Sequence, residues 1–256
     1  MVEQSPIAAP AAPGTTIYRH ALVTRLWHWV TAITMFIMIG SGIGILKAHP
    51  HLYWGRYGAN FDTPWLSLDW MPPWVGTMLN VLTIPASYNL ALSRRWHLFF
   101  ALVFAFALLA FMIVSLINRH FQRKLRVRAG ELAPRNISHD FREHLAFRFH
   151  DPADPQAYNI FQKLSYVVVI FVAFPLMIFT GLAMSPGMDA AWPWLLEVFG
   201  GRQSARSVHF IAATFLVLFI VVHLTLVILA GPWNELRSMI TGRWRVPDGS
   251  LGERGL

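Results

Sequence analysis

The chain has no cysteine in its 256 residues. That excludes disulfide bonds, cysteine-ligated zinc, iron–sulfur clusters and thioether-attached haem. Acidic residues are also scarce: 13 Asp and Glu stand against 21 Lys and Arg, and charged residues make up only 13% of the chain. A soluble domain carries about 25%, so this surface is not built for water on all sides. Residues 1–16 lack the basic start and apolar run of a signal peptide. Rich in Ala and Pro, they read as a disordered tail. No internal repeat stands out.

What the chain does have is apolar length. It is 55% hydrophobic, with a mean hydropathy of +0.45. Four long apolar runs cover roughly 25–46, 95–118, 163–185 and 207–230. Each is near the ~20 residues that span a bilayer. The expected fold is an all-α, four-helix transmembrane bundle over 17–245, with a short tail at 246–256. The stretch 70–92 is broken by Pro72, Pro73 and Pro85, so it reads as interfacial or loop structure.

Lys and Arg set the orientation. The link between the second and third runs holds Arg119, Arg123, Lys124, Arg126, Arg128, Arg135, Arg142 and Arg148. Arg19 and Arg25 flank the first run, and Arg237, Arg243 and Arg245 follow the last. The opposite side has Lys47, Arg56, Arg94, Arg95, Arg202 and Arg206. Both termini and the basic link are therefore expected in the cytoplasm, with a long loop 47–94 and a short loop 186–206 outside. The net charge of +8 then belongs to cytoplasmic loops, and no nucleic-acid partner is expected.

Orientation turns sequence position into depth. His209 and His223 lie fourteen residues apart in one run without an intervening charge. Four helical turns separate them, about 21 Å at ~1.5 Å per residue. Ionisable side chains inside a membrane mark function by default. His97, at the outer start of the second run, shares the level of His209. His28, at the cytoplasmic start of the first, shares the level of His223. Two facing imidazoles are what a six-coordinate haem b requires, and the pattern supplies them twice. Zinc fits less well, because a structural zinc wants four ligands and each level offers two. Gly40, Gly42 and Gly44 lie level with the outer pair, and Ala107 and Ala110 approach the inner one. Such small residues either clear space for a macrocycle or serve close helix packing. His20, His120, His139, His144 and His150 read as solvated or interfacial, as do His49 and His51, though His49-Pro50-His51 could touch a metal.

Three motifs carry a family resemblance: Arg25-Leu26-Trp27-His28-Trp29, Arg94-Arg95-Trp96-His97, and Val208-His209-Phe210 with His223-Leu224. The chain resembles the bacterial cytochrome b561 and nickel-hydrogenase b-type cytochrome superfamily. Within it, the chain is similar to the cytochrome b (gamma) subunits of formate dehydrogenase, hydrogenase and thiosulfate reductase. The resemblance implies two b haems on His97/His209 and His28/His223. It also implies a quinone site at a Y-N-x-G-Q-K motif, met here by Asn159, Gln162 and Lys163, with Phe161 replacing the glycine. On residue chemistry alone Asn159 and Lys163 serve equally as interfacial anchors. Arg25, Arg94 and Arg95 suit haem propionates or lipid phosphates.

The expected function is electron transfer between a periplasmic oxidoreductase of molybdopterin type and the membrane quinone pool. The aromatic outer loop, with Tyr53, Trp54, Tyr57, Trp65, Trp70 and Trp74, is the expected docking surface. A stand-alone superoxide:quinone oxidoreductase and a haem-free anchor or transporter are the alternatives. The expected location is the bacterial inner membrane.

Overall fold

A computed structural model describes residues 14–59, 61–87, 89–119, 121, 135 and 160–246. Four helices among them are long and apolar enough to cross a membrane. They are α1 (Leu22–Ala48), α3 (Leu90–Ile117), the third span Ile160–Met184, and α8 (Arg202–Leu229). The third span is composite. It runs as α4 (Ile160–Val167), a π-helical segment Val168–Ala173, and α5 (Phe174–Met184). Pro175 explains the change of pitch, since its ring has no N–H to give to the preceding turn and a wider turn accommodates it.

The shorter elements begin where proline allows. α2 (Pro73–Leu82), α6 (Pro186–Ala191), α7 (Pro193–Val198) and α9 (Pro232–Thr241) each open on a proline, where a missing N–H costs nothing. The stretch expected to be interfacial thus contains a short helix, α2, with Trp74 and Met78 exposed. Four small strands lie among the described residues: β1 (Thr16–Tyr18), β2 (His51–Leu52), β3 (Leu66–Ser67) and β4 (Arg243–Arg245).

The chain forms two compact units. One comprises 27–114 and 166–221, and so contains most of all four spans. Its core joins Phe104, Leu108 and Phe111 of α3 to Val169, Ile170 and Phe174 of the third span. Phe104 and Phe174 meet edge to face at 4.9 Å, and Trp27 of α1 stacks on Phe111 at 4.0 Å. The outward faces carry Ile33, Phe36, Phe99 and Phe106, all exposed, as lipid contact requires.

Gly40 and Gly44 serve this packing. A methyl on Gly40 would meet Ile84 at 2.7 Å, and one on Gly44 would meet Ser93 Oγ at 2.5 Å. The close-packing role wins at both positions. Gly42 alone of the three looks toward a histidine, and Ala110 lies exposed on α3.

The outer loop is ordered in the same unit. The first turn of α8 has N–H groups with no intrahelical partner. Gln203 and Ser204 give theirs to the Gly55 carbonyl, both at 3.1 Å. Ser204 Oγ accepts from Gly55 N–H at 2.7 Å, and Ser207 Oγ donates to the Tyr53 carbonyl at 2.6 Å. Trp65 Nε1 donates to Ser207 Oγ at 2.8 Å. Arg206 holds the carbonyls of His49 and His51. Gly201, at φ 112°, lets Arg56 approach so closely that a methyl there would meet the Arg56 backbone at 2.6 Å.

The second unit comprises 1–26, 115–165 and 222–256. Within it β1 pairs antiparallel with β4, Ile17 opposite Trp244. The pairing extends to Gly14 and Val246, so residues 14–16 of the expected tail are strand or strand edge. Arg19 and Trp244 Nε1 both donate to Glu235, at 3.3 and 3.0 Å. Gly231 and Gly242, at φ 100° and 80°, turn the chain into and out of α9.

Candidate functional site

His97 and His209 are brought face to face. Their ring centroids lie 6.2 Å apart. Metal–imidazole bonds are about 2.0 Å. Ring bonds near 1.33 Å put each nitrogen about 1.1 Å from its centroid. Two imidazoles on opposite sides of one metal therefore have centroids about 6 Å apart. The observed spacing is the one a six-coordinate iron requires.

Each ring is also held in one tautomer. His97 Nδ1 lies 3.1 Å from the Met38 carbonyl, which can only accept, so Nδ1 carries the proton. Ser41 Oγ lies 3.1 Å from the same nitrogen and donates its own hydrogen to the Ile37 carbonyl at 2.8 Å. Its lone pairs face the imidazole. His209 repeats the device. Its Nδ1 lies 2.8 Å from Thr180 Oγ1, whose hydrogen is committed to the Leu176 carbonyl at 2.6 Å. Both rings therefore keep an unprotonated Nε2 for a metal. An outer partner of this kind is the usual companion of a ligating histidine.

Glycines complete the cradle. The open face of Gly42 looks onto His97 Cε1 at 3.5 Å, and that of Gly181 onto His209 Cε1 at 3.7 Å. Ser41 and Thr180 are fully buried. The residues present fit a bis-imidazole haem on three counts: ring spacing, tautomer and a side-chain-free helix surface beside each ring.

The sequence carries a trace of these outer partners. Met38-Ile39-Gly40-Ser41-Gly42 and Met177-Ile178-Phe179-Thr180-Gly181 share Met, Ile and Gly, with a hydroxyl residue before the last Gly in each. At five residues this likeness is too brief to notice unless one asks what would hold a histidine's second nitrogen.

His28 lies on α1 in the unit that contains the outer pair, its ring edge-on to Trp29 at 5.5 Å. His223 lies on α8 in the other unit. Arg25 donates to the Ile240 carbonyl of α9. Arg94 and Arg95 are exposed at the start of α3, where Arg95 borders a groove with Trp96 and Phe99. Gln162 and Lys163 are half-buried in the first turns of α4, while Asn159 lies outside the described residues. His51 pairs with Asp69 at 2.5 Å. No third ligand joins them or His49 among the described residues.

The family model described as prokaryotic cytochrome b561 matches residues 19–242. The "Putative protein-methionine-sulfoxide reductase subunit YedZ1" of Azospira oryzae is 26% identical over 85% of this chain and 93% of its own length. The "Probable Ni/Fe-hydrogenase B-type cytochrome subunit" of Azotobacter vinelandii is 23% identical over 91% of this chain and 89% of its own. The protein of that name in Cupriavidus necator is 21% identical, over 88% and 85%. No solved structure matches. With nearly the whole described chain inside the family match, the protein belongs to the prokaryotic cytochrome b561 family, as a multi-pass membrane cytochrome of b type.

Proposed function

We propose that this chain is the electron-transfer subunit of a membrane oxidoreductase. It would hold two b haems and pass electrons between a periplasmic partner and the quinone pool. The carrying observation is the facing pair His97 and His209 with both Nδ1 atoms anchored. Haem, when bound, supplies one-electron chemistry. The chain's own part is to present Nε2 of each ring, fix the ring planes and bury the pair away from water. His28 and His223 form the second ligand pair by their sequence depths. Asn159, Gln162 and Lys163 are proposed for the quinone, and Arg25, Arg94 and Arg95 for propionate contacts.

The partner reading draws on the relatives, whose names describe subunits of a sulfoxide reductase and of hydrogenases. A partner of molybdopterin type is the specific proposal. The chain has no cysteine, so any iron–sulfur relay must come from that partner. The outer loop supports docking. Trp54, Tyr57, Trp70 and Trp74 are exposed on a scaffold pinned to α8, and rigid exposed aromatics are typical binding anchors. With termini and the basic link in the cytoplasm, this loop faces the periplasm.

A reduced-minus-oxidised spectrum with haem counting on the purified chain tests the reading. Two b haems per chain are expected. An absent α-band would overturn it. Pull-down of a tagged chain tests the partner, and recovery without any molybdenum oxidoreductase would remove the molybdopterin assignment.

A further inference from the structure

Hydroxyls within the spans mostly return to their own helix. Thr34 donates to the Val30 carbonyl at 2.8 Å, Ser41 to Ile37 at 2.8 Å, Thr180 to Leu176 at 2.6 Å and Thr214 to Phe210 at 2.9 Å. Thr31 does not. Its Oγ1 is shielded from solvent and has no hydrogen-bond partner among the described residues. One turn earlier, the indole Nε1 of Trp27 is in the same condition. Residues i and i+4 share a helix face, so two orphaned polar atoms lie together on α1. Both belong to the unit that holds the outer histidines.

In hydrocarbon no water is at hand to satisfy such groups. Trp27 is also unable to turn away. Its ring stacks on Phe111 at 4.0 Å and 11°, with the edge of Phe174 at 6.5 Å. An indole N–H only donates, so its missing partner is an acceptor. A threonine hydroxyl can serve the same atom. His28 follows Trp27 directly and stands three residues before Thr31, on the same side of the helix.

We propose that Trp27 Nε1 and Thr31 Oγ1 bind an oxygen acceptor, carbonyl or carboxylate, of a planar conjugated ligand lodged beside His28. The aromatic wall of Trp27 and Phe174 favours a flat ring. Two ligands share this chemistry: a haem propionate and a quinone headgroup carbonyl. The propionate case rests on the assignment of His28 as a haem ligand above.

The test uses the full-length haem-loaded protein in detergent with Trp27→Phe and Thr31→Val. The first keeps a stacking ring and removes the donor. The second is nearly isosteric and removes only a hydroxyl, so it keeps the test open if the first fails to fold. The outer haem signal reports folding in both. Two readouts are taken: potentiometric titration of each haem, and fluorescence titration with a hydroxyquinoline N-oxide quinone analogue. A propionate contact shifts the potential of one haem and leaves the other in place. A quinone contact leaves both potentials alone and weakens analogue binding about tenfold, the scale of one lost hydrogen bond. Unchanged potentials together with unchanged analogue affinity in both variants overturn the proposal. His28→Ala is run in parallel. If it keeps two haems, the His28 assignment fails, and the analogue titration still decides the quinone case.

Discussion

Thr180 Oγ1 lies 2.8 Å from Nδ1 of His209 with its own hydrogen already given to the Leu176 carbonyl. The hydroxyl is therefore an acceptor for the imidazole and nothing else. Thr180→Val keeps the shape and removes that acceptor. Loss of such an outer partner typically weakens metal binding about 10–100-fold. Haem titration of the apoprotein measures it. Unchanged affinity would show that Thr180 does not steer the ring.

Ser41→Ala tests the same device on the other ring. The Met38 carbonyl still accepts from His97 Nδ1 at 3.1 Å, and the backbone of Met177 serves His209 in the same way, so each variant keeps one acceptor. We expect losses of similar size in the two variants, near the lower end of that range, by the same titration. A loss confined to one variant would show that only that hydroxyl steers its ring.

Single substitutions of His97 should leave one haem, the inner, and of His223 one haem, the outer. His209→Ala/His223→Ala should leave neither if, as proposed, α8 supplies a ligand to each haem. Haem content by pyridine haemochrome distinguishes these outcomes, and a double mutant retaining one haem contradicts the shared helix.

Ser207 joins Trp65 and Tyr53 through one hydroxyl. Ser207→Ala leaves the buried Tyr53 carbonyl without this donor, at a cost of about 1–3 kcal/mol, and releases the indole of the exposed Trp65. The loop 49–72 should then be cut faster in limited proteolysis. Gly201→Ala should act the same way, through φ 112° and the collision with Arg56. Digestion rates equal to wild type in both variants would separate loop order from these contacts.

The His51 hydrogen bond, with help from Ser67, holds the Asp69 carboxyl below its ordinary value of 3.8. A lowered folded pKa means the contact contributes fully above about 3.8 and is lost as pH falls through the lower folded value. Hydrogen-exchange protection factors of the β2–β3 amides, corrected for the intrinsic pH dependence, should be flat at neutral pH and fall only in acid below that range. Asp69→Asn should abolish the acid step while leaving the hairpin formed.

The four spans were legible because hydrocarbon demands about twenty apolar residues per crossing and little else competes with that signal. Their ends moved by a few residues. α8, for example, starts at Arg202 rather than 207, since the outer loop caps its first turn from 147 positions away in sequence (Gly55 against Arg202). The pairing of His97 with His209 was legible for the same reason, depth being a linear coordinate along a helix. Azimuth is not. Which glycine faces a ring and which faces Ile84 depends on helix rotation, and that is why Gly40 and Gly44 were readable only as small. Ser41 and Thr180 were hidden because a hydroxyl in a membrane helix ordinarily bonds its own backbone, as these also do.

Each outer histidine is carried by one helix and steered by another: His97 of α3 by Met38 and Ser41 of α1, His209 of α8 by Thr180 of α5. All four spans thus take part in fixing two imidazole planes. The rotational freedom of those rings is surrendered when the helices assemble, not when a ligand arrives. A cofactor entering here meets a preorganised pair, and its affinity is spared the entropy of ordering its own ligands.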